Sequence, residues 1–284
     1  MNFLQMLSKI KEREIKAVIF SFLFVVVLMS AYYILRPVRD AMASDWTDAE
    51  VSWLWTLNFF ISTGIVALYG IAVSKFRFRL LVPTMYGIFA GSFVMFYLLG
   101  SISDDRTLID KAFYVWVSVF SLFNISVFWS FMSELFSKEQ SGRLFGIIAV
   151  GASVGGLIGP SITAFFSVSL GTNNLMLIAS TMLLIPIPII FYLQSLKATD
   201  LNNGKLDLTP TSQPIGGNPI AGFKMLFSNP YLLSIALFIF LYTGISSFIY
   251  FELKNLLSDL SRPERSAIWA QMDLAVNVLS ISIG

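Results

Sequence analysis

Eight runs of mostly apolar residues, each close to twenty residues long, recur along the chain: Ile15–Leu35, Val51–Val73, Leu80–Leu99, Ala112–Met132, Leu144–Phe166, Asn174–Gln194, Tyr231–Phe251 and Ala267–Gly284. A bilayer's hydrocarbon core is about 30 Å thick and needs about 20 residues of helix to cross it. Only a structure that satisfies its own backbone hydrogen bonds survives there. The runs therefore predict an all-α polytopic membrane protein. Composition agrees, because 56% of the 284 residues are hydrophobic and only 13% are charged, about half the charge of an ordinary soluble domain. The chain has no cysteine and no histidine. Thiolate and imidazole metal sites, disulfides and histidine acid–base catalysis from this chain are excluded, so no metal, cofactor or enzymatic role is expected.

The segments between the runs assign the two faces. Lys9, Lys11, Arg13, Lys16, Lys75, Arg77, Arg79, Lys138, Arg143, Lys197, Lys205 and Lys224 fall on the side of the N-terminus, twelve of the nineteen basic residues. Loops rich in Lys and Arg stay in the cytoplasm, which predicts a cytoplasmic N-terminus and a multi-pass protein of a bacterial inner membrane. The lead-in "MNFLQMLSKIKEREIK" precedes an apolar run too long for a signal-peptide core and reads as retained. Trp46, Trp53, Trp55, Trp116 and Trp269 fall near the expected outer surface and Trp129 near the inner, as interfacial anchors would.

The longest break, 195–230, is polar and rich in Gly, Pro and Asn. It reads as a cytoplasmic linker, with "IAGFKMLF" near its end able to form a short interfacial helix. The expected organisation is a six-span bundle over 1–194, the linker 195–230, and the start of a second bundle over 231–284. The sequence stops within its eighth span, so a whole of about twelve spans in two bundles is expected.

Span 5 carries "GIIAVGASVGGLIGP", in which Gly146, Gly155 and Gly159-Pro160 follow G-x8-G-x3-G-P with Gly151 added. Glycines four apart let a neighbouring helix approach, and the proline offers a place to bend; tight packing and a hinge are both consistent with it. Between spans 2 and 3 lies "GIAVSKFRFR", with Gly70, Lys75 and Arg79. The first spacing resembles the span-5 antiporter motif of the major facilitator superfamily, and the second is similar to its loop between spans 2 and 3. "YYILRPVRDAM", "FWSFMSELFSKEQSGRLFGIIAVGAS" and "YFELKNLLSDLSRPERSAIWAQMDLAVNVLS", roughly a quarter of the chain, resemble the ATP:ADP translocase family and its bacterial relatives. That resemblance implies nucleotide binding near Leu35-Arg36 and Arg39-Asp40, an essential acid at Glu134 and a matching arginine at Arg143. Met132 and Ser133 stand where that family has alanine and asparagine, and Arg39 where it has lysine.

Arg36 and Arg39 lie one helical turn apart, so they can present two guanidinium forks to one phosphate or carboxylate. The alternative is interfacial snorkelling at a helix end. Asp40 would neutralise part of that charge in an empty site. Asp273 is the acid expected deepest in the membrane, with Asn277 one turn further on the same face, and charge at such depth usually faces a cavity or partner. Asn58 and Asn124 are further polar candidates within spans 2 and 4. Arg39 and Glu134 are too far apart to pair, which suggests one gate at each face.

Taken together, the expectation is a transporter of the major facilitator type that moves a small organic anion, a nucleotide among the candidates, by exchange or with coupled protons. Arg36, Arg39, Asn58 and Asn124 would bind it, and Asp40, Glu134, Arg143, Asp273 and Asn277 would gate or couple. Its partners would be that solute and the lipid bilayer, not a nucleic acid polymer. The rival is a non-transporting sensor or scaffold on a similar fold.

Overall fold

The computed structural model describes residues 10–75, 78–199, 201 and 227–283. After a single turn at Glu12–Glu14, nine helices follow among the described residues: α1 Ile15–Ala43, α2 Asp48–Lys75, α3 Phe78–Ile102, α4 Thr107–Leu135, α5 Lys138–Leu170, α6 Thr172–Leu184, α7 Pro186–Thr199, α8 Pro230–Leu256 and α9 Arg262–Ile283. They supply eight segments long and apolar enough to cross a membrane, one for each apolar run, with α6 and α7 forming the sixth. The break between those two falls at Ile185-Pro186, because Pro186 lacks an amide hydrogen and its ring crowds the preceding turn, although Ile185 itself keeps helical backbone angles.

The expected end of the first span needs correction. The apolar run closes at Leu35, but α1 continues unbroken through Pro37 to Ala43. Proline removes one hydrogen bond and crowds the preceding turn, yet Val38, Ala41, Met42 and Ala43 beyond it are all buried. Packing of this last turn and a half outweighs the proline. Arg36, Arg39 and Asp40 therefore project from within a helix and not from its frayed end.

Helix α1 is the hub, packed against α4, α5, α6, α7 and α9. Phe24, Leu28, Ile34 and Leu35 on it are fully buried, and Phe24 meets Phe128 and Tyr86 edge-on at ring separations of 5.0 and 5.5 Å. The closest approach is to α5. A Cβ placed on Gly155 would lie 2.5 Å from the Val26 carbonyl oxygen, and one on Gly159 would lie 2.5 Å from that of Ser30. Gly151 likewise faces Phe22, at 2.9 Å from its carbonyl oxygen. Glycines at 151, 155 and 159 thus meet backbone at 22, 26 and 30, one turn against one turn. The motif acts as a packing seam between parallel helices, α5 runs continuously across Pro160, and Gly146 is exposed on its flank.

On α2 and α8 the large apolar side chains point outward; Phe59, Phe60, Phe238 and Phe248 are exposed, as a lipid-facing surface requires. Among the tryptophans only Trp53 is strongly exposed. Trp116 donates to the Ser92 hydroxyl at 2.7 Å and Trp55 to the Tyr114 hydroxyl at 2.7 Å, so these two are interior partners and not surface anchors. The linker helix expected at "IAGFKMLF" lies almost wholly outside the described residues.

Candidate functional site

Four charges from α1 and α9 meet inside the spans. Arg39 grips the Asp40 carboxylate with Nε at 2.9 Å and Nη2 at 2.7 Å. Arg36 reaches the other Asp40 oxygen at 3.8 Å and Asp273 Oδ1 at 3.2 Å. Two positive and two negative groups make a quartet with no net charge, the form in which ionisable groups are tolerated at this depth. Asp40 is 3% exposed and also accepts from the Tyr250 hydroxyl at 3.3 Å. Tyr250 is itself 3.3 Å from the Tyr114 hydroxyl, which accepts from Trp55. A continuous hydrogen-bond chain thereby joins α2, α4, α8 and α1.

Beside the quartet opens a cavity of about 450 Å³ between α1, α2, α4 and α8. Arg39 forms one end, with its guanidinium carbon 5.5 Å from the Tyr114 ring centre and its Nη1 donating to the Ser118 hydroxyl at 3.3 Å. Asn58, Ser118 and Ser121 line one wall, and Thr243, Ser246 and Ser247 the facing one. Arginine brings five N–H donors; Asp40 takes two and Ser118 one.

Toward the loop between α8 and α9 a second set of ion pairs joins spans 7 and 8 to spans 1, 2 and 4. Arg262 pairs with Asp45 and with Asp110, the latter at 2.6 Å, and Arg265 pairs with Asp45 at 2.6 Å. Lys254, 1% exposed, donates to the Trp46 carbonyl at 2.7 Å and pairs with Asp48 at 2.9 Å. Arg265 is fixed by the Leu257 and Ser258 carbonyls that end α8. This clasp ties the α8–α9 loop to the neighbouring ends of α1, α2 and α4.

At the N-terminal end the pairs fall inside the first six spans. Arg143 holds Glu14 with two N–H groups at 3.1 and 2.7 Å, and Lys197 holds Glu134 at 3.1 Å while donating to its carbonyl at 2.6 Å. Glu134 also borders a second hollow of about 450 Å³ with Ser126, Trp129, Ser130 and Ser133. Arg79 exchanges hydrogen bonds with Gln194, at 3.0 Å through its side chain and 2.9 Å through its carbonyl, tying α3 to α7. Gly70 is exposed with open space around it, and the Lys75 side chain lies outside the described residues.

The sequence candidates thus divide. Arg36, Arg39, Asp40 and Asp273 come together, and Asn58 joins them in the cavity wall. Asn277 packs its side chain over Gly156 of α5, where an added Cβ would lie 2.7 Å from its Oδ1, and donates to the Asp273 carbonyl. Asn124 is buried away from the cavity, its backbone carbonyl accepting from the Tyr86 hydroxyl and its side-chain amide facing Met29. Glu134 and Arg143 lie at the other end. Sequence reasoning missed the cavity walls. The signal was present: Tyr114, Ser118 and Ser121 on α4, and Thr243, Ser246, Ser247 and Tyr250 on α8, are polar stripes at helical spacing inside otherwise apolar spans. It also missed the clasp, because Asp45, Arg262 and Arg265 look like ordinary loop charges until the fold brings them together.

A family model described as Major Facilitator Superfamily matches residues 18–282. The chain belongs to that superfamily. The match spans all eight membrane segments, and with them the protein is a multi-pass membrane transporter whose partners are a small-molecule substrate and the bilayer. The match is to the superfamily as a whole; the resemblance to nucleotide translocases finds no support in it. Comparison with curated proteins and comparison with solved structures gave no match.

Proposed function

We propose that this transporter carries a small organic anion by alternating access, with Arg39 as the anion's principal contact. The observation that carries the reading is the neutral quartet at the edge of a hydroxyl-lined cavity. An arriving carboxylate or phosphate competes with Asp40 for Arg39 and with Asp273 for Arg36. Both contests exchange one charge-assisted pair for another, and such pairs are strong and directional. Loosening Arg36 from Asp273 also loosens span 1 from span 8, which links binding to movement of residues 1–194 against the part from 231 onward. Asp273, once released, is the group placed to take up a proton, giving anion–proton coupling.

In this reading the described state is closed at the α8–α9 loop by Asp45, Arg262, Arg265 and Lys254. The basic N-terminal loops put the opposite end in the cytoplasm of a bacterial inner membrane. Glu134, held by Lys197, serves the first six spans as an internal tie and exchanges partners only if spans 7 and 8 approach it.

The test is uptake into proteoliposomes holding the purified full chain, with a panel of labelled carboxylates and phosphates and with labelled ATP against internal ADP. Saturable uptake of one anion, lost in Arg39→Ala and made indifferent to a pH gradient in Asp273→Asn, is the expected result. ATP uptake that requires internal ADP makes the exchange a nucleotide exchange. Uptake that survives Arg39→Ala removes the anion reading.

A further inference from the structure

The cavity walls carry a feature that the charged quartet does not use. Ser118, Ser121 and Ser247 each give their hydroxyl proton to a carbonyl of their own helix: Ser118 to Tyr114 at 2.9 Å, Ser121 to Ser118 at 2.7 Å and Ser247 to Thr243 at 2.8 Å. A hydroxyl has one proton and two lone pairs. Once the proton is spent on the helix, the oxygen offers only acceptance to whatever occupies the cavity. Asn58 behaves in the complementary way, since its carbonyl oxygen accepts from Ser62 at 3.2 Å and its amide N–H2 is the donor end. The cavity thus has a cationic donor at one end, acceptor oxygens on both facing walls and aromatic surface from Trp55, Tyr114 and Tyr250.

We infer that the substrate is a compact, hydroxylated organic anion, whose carboxylate or phosphate meets Arg39 while its own hydroxyl groups donate to Ser121 on α4 and Ser247 on α8. This rests on the anion reading of Arg39 and narrows it. An apolar anion of the same size displaces water from those serine oxygens without replacing its hydrogen bonds, and sites built to bond a substrate hydroxyl discriminate against analogues that lack it. At about 30 Å³ per water-sized atom, 450 Å³ has room for about fifteen such atoms, so a three- to six-carbon hydroxy acid or sugar phosphate fits. Because Ser121 belongs to span 4 and Ser247 to span 7, one hydroxylated molecule bonds both sides of the cavity, so recognition of its hydroxyls also draws the two sides together.

The experiment is binding to the full chain in lipid nanodiscs, with two matched pairs of probes: glycerol phosphate against propyl phosphate, and glycerate against propionate. The hydroxylated member of each pair is expected to bind at least tenfold more tightly. The double variant Ser121→Ala, Ser247→Ala is expected to erase that difference while leaving the hydroxyl-free probes where they were, with an unchanged melting temperature as the check on folding. Arg39→Ala is expected to weaken all four. Equal binding within each pair, still dependent on Arg39, overturns the hydroxyl assignment and leaves the anion reading standing. Binding indifferent to Arg39→Ala overturns both, and so does an absence of binding by all four probes to folded protein. Binding of ATP tighter than that of either hydroxylated probe overturns the compact-substrate assignment.

Discussion

Arg36 on α1 and Asp273 on α9 lie 3.2 Å apart, although 237 positions separate them in the chain, and they join the first membrane span to the eighth. Asp40 stands 3.8 Å from the same guanidinium. The Arg36 side chain is 37% exposed and that of Asp273 14%, so removing one partner costs less than the roughly 3–5 kcal/mol of a fully buried pair. Asp273→Asn and Arg36→Gln are each expected to lower the melting temperature of the purified protein, and the double variant to lose less than the two summed. A coupling energy of about 0.5–3 kcal/mol is expected from the cycle. Strict additivity is the result that contradicts a direct pair.

The glycine seam makes a contrast within one residue type. Gly155→Ala and Gly159→Ala drive a methyl group into the Val26 and Ser30 carbonyls of α1, and overpacking of this kind costs about 1–3 kcal/mol or more. Gly244→Ala on α8 meets open space and is expected to be neutral or to stabilise by up to about 1 kcal/mol through helix propensity. Melting curves for the three variants in one detergent decide the matter; equal behaviour of Gly155 and Gly244 is incompatible with the seam.

Opening of the clasp is measurable because the native chain has no cysteine. A single Ser247→Cys reports access to the cavity by its rate of maleimide labelling. Adding Asp45→Asn removes the carboxylate shared by Arg262 and Arg265. Labelling is then expected to quicken several-fold from the face bearing the α8–α9 loop, with little change from the other. An unchanged rate shows that the clasp does not control access.

Orientation is tested in the same way in intact cells. Ser258→Cys sits in the loop between α8 and α9, and Ser195→Cys on an exposed position near the end of α7. The distribution of basic residues predicts that an impermeant maleimide labels the first without permeabilisation and the second only after it. The reverse pattern inverts the topology.

How much of this was legible beforehand differs by feature. Arg36 and Arg39 were visible as a spaced pair, and Asp273 as a charge in an apolar segment, because one-dimensional spacing already fixes which residues share a helix face. Asp45, Asp110, Arg262 and Arg265 were not, since each lies near a helix end where charge needs no explanation. Asn124 shows the opposite error. Its position in a span suggested the cavity, but the rotation of α4 turns its side-chain amide toward Met29, and rotation is set by neighbours and not by sequence interval.

The sequence by itself determined the number of spans and the packing face of span 5, and it raised the expectation of a cytoplasmic N-terminus. Length, apolarity and charge asymmetry act through bilayer thickness, backbone desolvation and the insertion bias of basic residues, all of which operate on each segment separately. Only the tertiary structure decided that α1 runs on through Pro37, that Arg36 finds Asp273, and that serines from spans 4 and 7 face one cavity. Those outcomes depend on which helices touch. Inside a bilayer, helix contacts follow from close packing and polar pairing between segments far apart in sequence, and no single segment contains that information.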